Sequence, residues 1–211
     1  TEMMQGAGSD AAEATAIAEN LVTANLMGHD SHGVGLAPRY MGHAKAGTLK
    51  IGAHPKVVSD NGAYLLLDGQ MGYGQTICQE ATEMAIARAR EAGVCIMGLR
   101  RTHHMGRIGA WGEMCADAGL IAICYVNTTG HRPYVAPWGG YQSRYSTNPY
   151  CTAIPATDTH PKIVLDMATS RVAQGKVRVA YNAGKPMPAD ALIGPDGRPT
   201  TDPKVIFEEP Y

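Results

Sequence analysis

Apolar residues recur at helical spacing between residues 11 and 27, where Ala, Ile, Leu and Val gather on one face and Gly28 supplies a stop, so an amphipathic helix is expected there. The polar, glycine-rich run His29-Asp30-Ser31-His32-Gly33-Val34-Gly35 reads as a loop. A second short helix is expected over 38–46, closed by Gly47. Between 57 and 68 apolar and polar positions alternate about Asn61-Gly62, the pattern of a β-hairpin. A turn at 69–74 leads into a helix expected over 75–92 and ended by Gly93. A buried strand over 94–99 then runs into a polar loop, 100–107. Residues 108–118 predict another helix closed by Gly119, and 120–126 an apolar strand. A long loop rich in Gly, Pro and Tyr occupies 127–149; loops of that length in compact domains are commonly functional. A short strand at 163–167 precedes a helix expected over 170–182, with Ser170 as its N-cap. The remainder, 184–211, has many turn residues and little periodicity. Helices alternating with strands make an α/β chain, and the hairpin makes its sheet mixed.

Composition narrows the function. The 211 residues, 45% hydrophobic and 18% charged, suffice for one large or two small domains. Eighteen Lys and Arg against 19 Asp and Glu leave a net charge of −1, with no basic footprint for nucleic acid. No apolar run approaches the roughly 20 residues of a membrane span, and the opening Thr1-Glu2-Met3-Met4-Gln5-Gly6 lacks a signal-peptide pattern, so a cytoplasmic address is expected. Five widely spaced cysteines include no Cys-x-x-Cys pair, and Cys95 and Cys124 sit in apolar runs as buried reduced thiols would.

Familiar catalytic signatures are missing. Gly72-Tyr73-Gly74 follows a strand, but Ile77 stands where a dinucleotide fingerprint needs its third glycine. There is no phosphate loop, no nucleophile elbow and no histidine spacing suited to a metal, so no metal is expected. Two histidine settings stand out instead. His32, in Asp30-Ser31-His32-Gly33, has an aspartate near enough to fix its tautomer and a glycine that leaves the ring accessible. His103-His104 follow a buried strand, where ligands of α/β sheets collect, and Arg100, Arg101 and Arg107 lie close enough in sequence to clamp an anion. Residues 164–170 read as a strand end running into a helix N-terminus, a place for an anion or phosphate.

These motifs have a common owner. The run 28–34 resembles the N-terminal signature of the malate/L-lactate dehydrogenase family, and the motifs Thr102–Gly109, Ala136–Gly140, Thr147–Pro149 and Asp166–Ser170 follow in matching order and spacing. The resemblance implies a sulfolactate-dehydrogenase-like α/β fold with a mixed sheet and flanking helices, not a Rossmann fold. It implies NAD- or NADP-dependent interconversion of a 2-hydroxy acid, malate-like or lactate-like, with its 2-oxo acid, by a homodimer. It divides the chain into a segment over 1–70 contributing to the catalytic region and an α/β cofactor-binding domain over 71–211. His32 and His104 match the two histidines given proton transfer in different members, with His104 favoured for its strand-end place. Thr128 falls where a small hydroxyl residue meets the cofactor, and Asp166, Met167 and Ala168, followed by Thr169 and Ser170, match the cofactor-binding strand end. Arg39 is expected to hold the substrate carboxylate, catalytically and as a binding group, with Arg107 a second contact for dicarboxylates.

The chain also departs from the family. Leu36 stands where many relatives carry arginine, Ser146 replaces a usual glycine, and the later Lys-Gly segment has no counterpart in these 211 residues. A truncated member is therefore expected, the alternative being a lobe that binds a small anion or dimerises without turnover.

Overall fold

The computed structural model describes residues 1–130 and 132–208. The chain forms two compact units, one of Thr1–Ala122 with Ala153–Val164 and the other of Ile123–Thr152 with Leu165–Tyr211.

The first unit opens with α1 (Glu2–Gly6) and α2 (Ala11–Leu26). Asp10 starts α2 by accepting the Glu13 N–H at 2.8 Å, and Gly28, at φ +75°, takes the left-handed turn that leaves it. Ala14, Ile17 and Leu21 repeat at helical spacing and are fully covered by Met4, Leu49, Tyr73 and α3 (Ala37–Lys45), from which Ala37 and Tyr40 join the core. Glu13, only 5% exposed, turns both carboxylate oxygens to the Gly52 N–H, at 3.1 and 3.2 Å.

β1 (Lys56–Asn61) and β2 (Tyr64–Asp68) are the expected antiparallel hairpin, turning through Gly62 at φ +59°. β3 (Ile96–Arg100) pairs with β2 in parallel, so the sheet is mixed and ordered β1-β2-β3. Between them runs α4 (Gly74–Ala92), whose Ala81 and Met84 cover Leu65 and Leu67 of β2. α5 (Gly109–Asp117) follows, ending near Gly119 at φ +80°.

The second unit holds residues 123–125, 150–152 and 165–167 of a separate sheet formed, in that order, by β4 (Ala122–Tyr125), β5 (Tyr150–Ile154) and β6 (Ile163–Met167). α6 (Gln174–Asn182) and a small hairpin of β7 (Leu192–Ile193) and β8 (Pro199–Thr200) complete it. Val177, Met187 and Leu192 pack against Val205, Ile206 and Phe207.

Three differences from the sequence expectation matter. β5, β7, β8 and α1 were not anticipated, and the strands fall into three sheets rather than one. α6 begins at Gln174 rather than Ser170, because the Ser170 hydroxyl donates to the Val172 carbonyl and holds the chain in a turn; the extended Ala173 is the N-cap. The anion-binding helix start expected at Ser170 is therefore displaced.

Candidate active site

The turn before α4 and the loop after β3 both carry backbone strain. Gln70, Met71 and Arg101 all adopt positive φ, at +52°, +63° and +52°, each costing on the order of 1 kcal/mol. The compensation is a ladder from the turn before α4 to this loop: Gly69 N–H to Arg100 O at 2.8 Å, Met71 N–H to Arg101 O at 2.6 Å, and His103 N–H to Gly72 O at 3.0 Å. Asp68 ties the two together, accepting from the Gln70 N–H, Arg100 and Arg101 at 2.9, 3.3 and 3.4 Å. Those donors, the Gln70 N–H foremost, hold its carboxyl below the usual range.

His104 emerges from this loop into a buried network. Tyr40, 1% exposed, places its hydroxyl 2.7 Å from His104 Nδ1. Gln75 Nε2 lies 3.0 Å from the same hydroxyl, and the Gly106 N–H makes a longer contact of 3.3 Å to Nδ1. An amide N–H can only donate: Gln75 donates to the Tyr40 hydroxyl, and the Gly106 N–H donates to Nδ1, so Nδ1 carries no proton and Tyr40 donates to it. Nδ1 is then an acceptor, and the proton of the neutral ring resides on Nε2.

The rings order themselves around this pair. His32 stacks on His104 with centroids 5.4 Å apart and planes 28° apart. His103 turns the other way, edge-on to Tyr40 at 5.7 Å and beside His43 at 4.9 Å. Burial pushes His104 from the ordinary 6.5 down to about 3, helped by His32 and Arg39. His103 falls to about 4, also by burial first, and burial lifts Tyr40 to about 12.

A pH dependence follows. A histidine whose folded pKa lies below its unfolded value takes up its proton more readily once the chain unfolds. Its penalty is absent above pH 6.5 and grows as pH falls toward 3. At about pH 4.5 the His104 contribution is on the order of 3 kcal/mol. Urea unfolding at pH 7 and pH 4.5 should show the loss, and His104→Gln should shrink the gap by a comparable amount; an equal gap in both proteins would refute it.

The His32 loop is set by a side chain the sequence did not flag. Asn25 Oδ1 accepts the Val34 N–H at 2.8 Å, while its Nδ2 donates to Asp30 at 2.5 Å. A Cβ on Gly33 would lie 2.1 Å from Asn25 Oδ1, so this glycine serves close approach more than ring access. The oxygen against His32 Nδ1, at 2.9 Å, is the Ser31 hydroxyl.

The arginines sort clearly. Arg100 and Arg101 serve Asp68. Arg107 is 6% exposed and bidentate to Glu113, at 2.9 and 2.6 Å, so its charge is neutralised inside the protein rather than turned to a ligand. Arg39 is exposed, makes no ion pair among the described residues, and lies close enough to depress both His103 and His104.

The other candidates belong to the second unit. Met167, Ala168, Thr169 and Ser170 line an open cavity of about 1270 Å³, walled also by Tyr134, Trp138 and Ile193. Thr128 and Asp166 are not in its wall. The Thr128 hydroxyl donates to the Thr147 carbonyl at 3.0 Å, and that of Thr169 donates to Asn148. The cavity's volume exceeds the roughly 300–1,000 Å³ of most small-ligand pockets.

The sequence model of the malate/L-lactate dehydrogenase family matches residues 1–210. The chain belongs to that family. Among curated members it is 44% identical over 203 residues to hydroxycarboxylate dehydrogenase B of Escherichia coli K12, covering 96% of this chain and 56% of the relative. It is 40% identical over 193 residues to an L-lactate dehydrogenase of Cupriavidus necator, covering 92% of this chain and 55% of that one. The solved sulfolactate dehydrogenase of Methanocaldococcus jannaschii superposes with a TM-score of 0.84 at 32% identity, over 97% of this chain and 58% of that structure. The sulfolactate-dehydrogenase-like fold is thus borne out. The chain spans a little over half the length of the curated relatives it matches.

Proposed function

We propose that this chain provides the acid–base and cofactor-facing residues of an NAD- or NADP-dependent oxidoreductase that interconverts a malate-like or lactate-like 2-hydroxy acid and its 2-oxo acid. The observation that carries the reading is the buried Gln75–Tyr40–His104 relay beside Arg39, in a member of a dehydrogenase family. A nicotinamide, when bound, exchanges the hydride at C2 of the acid. Met167 to Ser170 and the cavity they line are the groups suited to hold it, with Thr128 and Asp166 as further contacts.

The protein's own task is the proton. His104 is neutral at physiological pH, so it reaches the substrate oxygen as an Nε2–H donor, not as an imidazolium. As that proton leaves for the developing hydroxyl, the Tyr40 proton follows onto Nδ1, and the Gln75 N–H steadies the phenolate. In oxidation the same hydrogens run back. Arg39 forks onto the substrate carboxylate, and His32 walls the ring from the other side. The family resemblance supports a homodimer. A cytoplasmic setting accords with the absence, among the described residues, of any helix long and apolar enough to cross a membrane.

The test follows absorbance of NADH and NADPH in parallel with 2-oxo acids including oxaloacetate and pyruvate. Oxidation of either nucleotide establishes the class and selects the cofactor; no oxidation and no nucleotide binding would sink the reading. Arg39→Met should raise KM for the active acid at least about tenfold while changing kcat less, since a charge-assisted hydrogen-bonded pair is worth about 1.5–3 kcal/mol. An unchanged KM would remove Arg39 from the carboxylate.

A further inference from the structure

The five cysteines divide unevenly over the fold. Cys78 lies on α4, Cys95 just before β3 and Cys115 on α5, all in the first unit, whereas Cys124 and Cys151 sit on β4 and β5 of the second. β4 and β5 are neighbours in their sheet. The Val126 N–H bonds the Pro149 carbonyl at 3.0 Å, the Tyr125 and Tyr150 rings meet at 5.4 Å, and the Cys151 thiol hydrogen-bonds the Cys124 sulfur. These three pairs step in opposite directions along the chain, so the strands run antiparallel with Cys124 directly across from Cys151.

That placement suits a covalent bond. Directly opposed residues of an antiparallel pair have Cα atoms about 4.5–5.5 Å apart, inside the roughly 4.4–6.8 Å window of disulfides. Their side chains share a face, the more covered one, while Ile123 and Tyr125 on the alternate positions are 57% and 82% exposed. No disulfide joins the two. Cys151 is completely buried, and Cys124 is partly open to solvent. The pair thus has the asymmetry of an attacking and a resolving cysteine.

We propose that Cys124 and Cys151 form a reversible two-electron disulfide site at the neck of the segment 126–149. The oxidant is a hydroperoxide. The Cys124 sulfur attacks the terminal peroxide oxygen, the O–O bond breaks, and an alcohol or water leaves with the thiol proton, giving a sulfenic acid. The Cys151 sulfur then attacks Cys124, forming the S–S bond and expelling water. Two thiols lose two electrons and two protons in all, and a small dithiol reverses the change. The hydrogen bond from Cys151 favours the Cys124 thiolate, against opposing contributions from burial and Asp166. The bridge pins the ends of the segment that carries Thr128 and Asn148. It stands on the strand geometry alone and not on the proposed hydride transfer.

The experiment uses the whole 211-residue chain, treated with equimolar hydrogen peroxide, alkylated and mapped by mass spectrometry. The expected result is a fall from five thiols to three, one cross-linked peptide pair joining Cys124 to Cys151, and full recovery with dithiothreitol. Cys151→Ala should leave a sulfenic acid at Cys124 that a cyclic 1,3-dione captures, and Cys124→Ala should abolish both bridge and adduct. A bridge involving Cys78, Cys95 or Cys115, or peroxide carrying Cys124 to sulfinic acid with Cys151 still a thiol, overturns the proposal. The mapping of the unsubstituted chain decides the matter even where a variant fails to fold.

Discussion

His104→Ala lowers turnover with the active 2-oxo acid at least about a hundredfold, the weight general acid–base catalysis commonly carries. The expectation rests on the Tyr40 hydroxyl lying 2.7 Å from Nδ1, which leaves the ring one transferable proton, on Nε2. His103 is no substitute, since its ring is directed to His43 and Tyr40. His32 is the other histidine of the stack among the described residues, and near-normal turnover in His104→Ala would transfer the role to it. Tyr40→Phe separates relay from scaffold. It keeps the ring in the core but removes the proton that refills Nδ1, so kcat for reduction falls with KM little changed. Equal kcat in Tyr40→Phe and the parent would leave His104 acting without the tyrosine.

Gly74→Ala is expected to destabilise the protein by about 2 kcal/mol or more and to cost activity as well. Alanine is the better helix former by about 1 kcal/mol, so propensity alone predicts the opposite sign. Space decides otherwise. A Cβ at Gly74 would stand 2.1 Å from the His104 carbonyl oxygen and 2.6 Å from the Met105 Cα. These are backbone atoms, so either the start of α4 or the histidine loop has to move, an overpacking cost of about 1–3 kcal/mol with catalytic geometry attached. Gly42, also helical, has nothing within 4 Å of its missing Cβ. Gly42→Ala should therefore stabilise by up to about 1 kcal/mol. Denaturant melts of the two variants give opposite shifts if the steric account holds; two stabilising shifts would refute it.

Local signals were the readable part of the sequence. Asn61-Gly62 announced the hairpin and thereby the mixed sheet, while Gly28, Gly93 and Gly119 marked helix ends through left-handed turns that are seen in place. His32 and His104 were legible because polar residues beside glycines after regular elements are conspicuous. Contacts distant in sequence were not legible. Tyr40 sits in an amphipathic helix, where an aromatic residue reads as core, and only folding brings it to a histidine 64 positions away. Gln75 looked like any first-turn residue of α4. Arg107 looked available because its partner Glu113 is six residues on, a spacing that sequence pattern does not pair. β5 escaped because Tyr150-Cys151-Thr152-Ala153-Ile154 is a run of only five residues without a clean alternation of apolar and polar positions.

Tyr40 has a double membership with a practical consequence for anyone who reshapes this protein. It touches Tyr73 edge-on at 6.0 Å within the same apolar cluster as Ile17, Leu21 and Leu49, while its hydroxyl addresses His104. In the proposed relay, thermal robustness and proton delivery are therefore adjusted by the same knob. A substitution such as Ile17→Val in that cluster, made only to tune packing, is expected to reach the imidazole through the phenol ring. Variants selected for heat tolerance in this helical layer will drift in their pH–rate behaviour, and those selected for rate will drift in melting temperature.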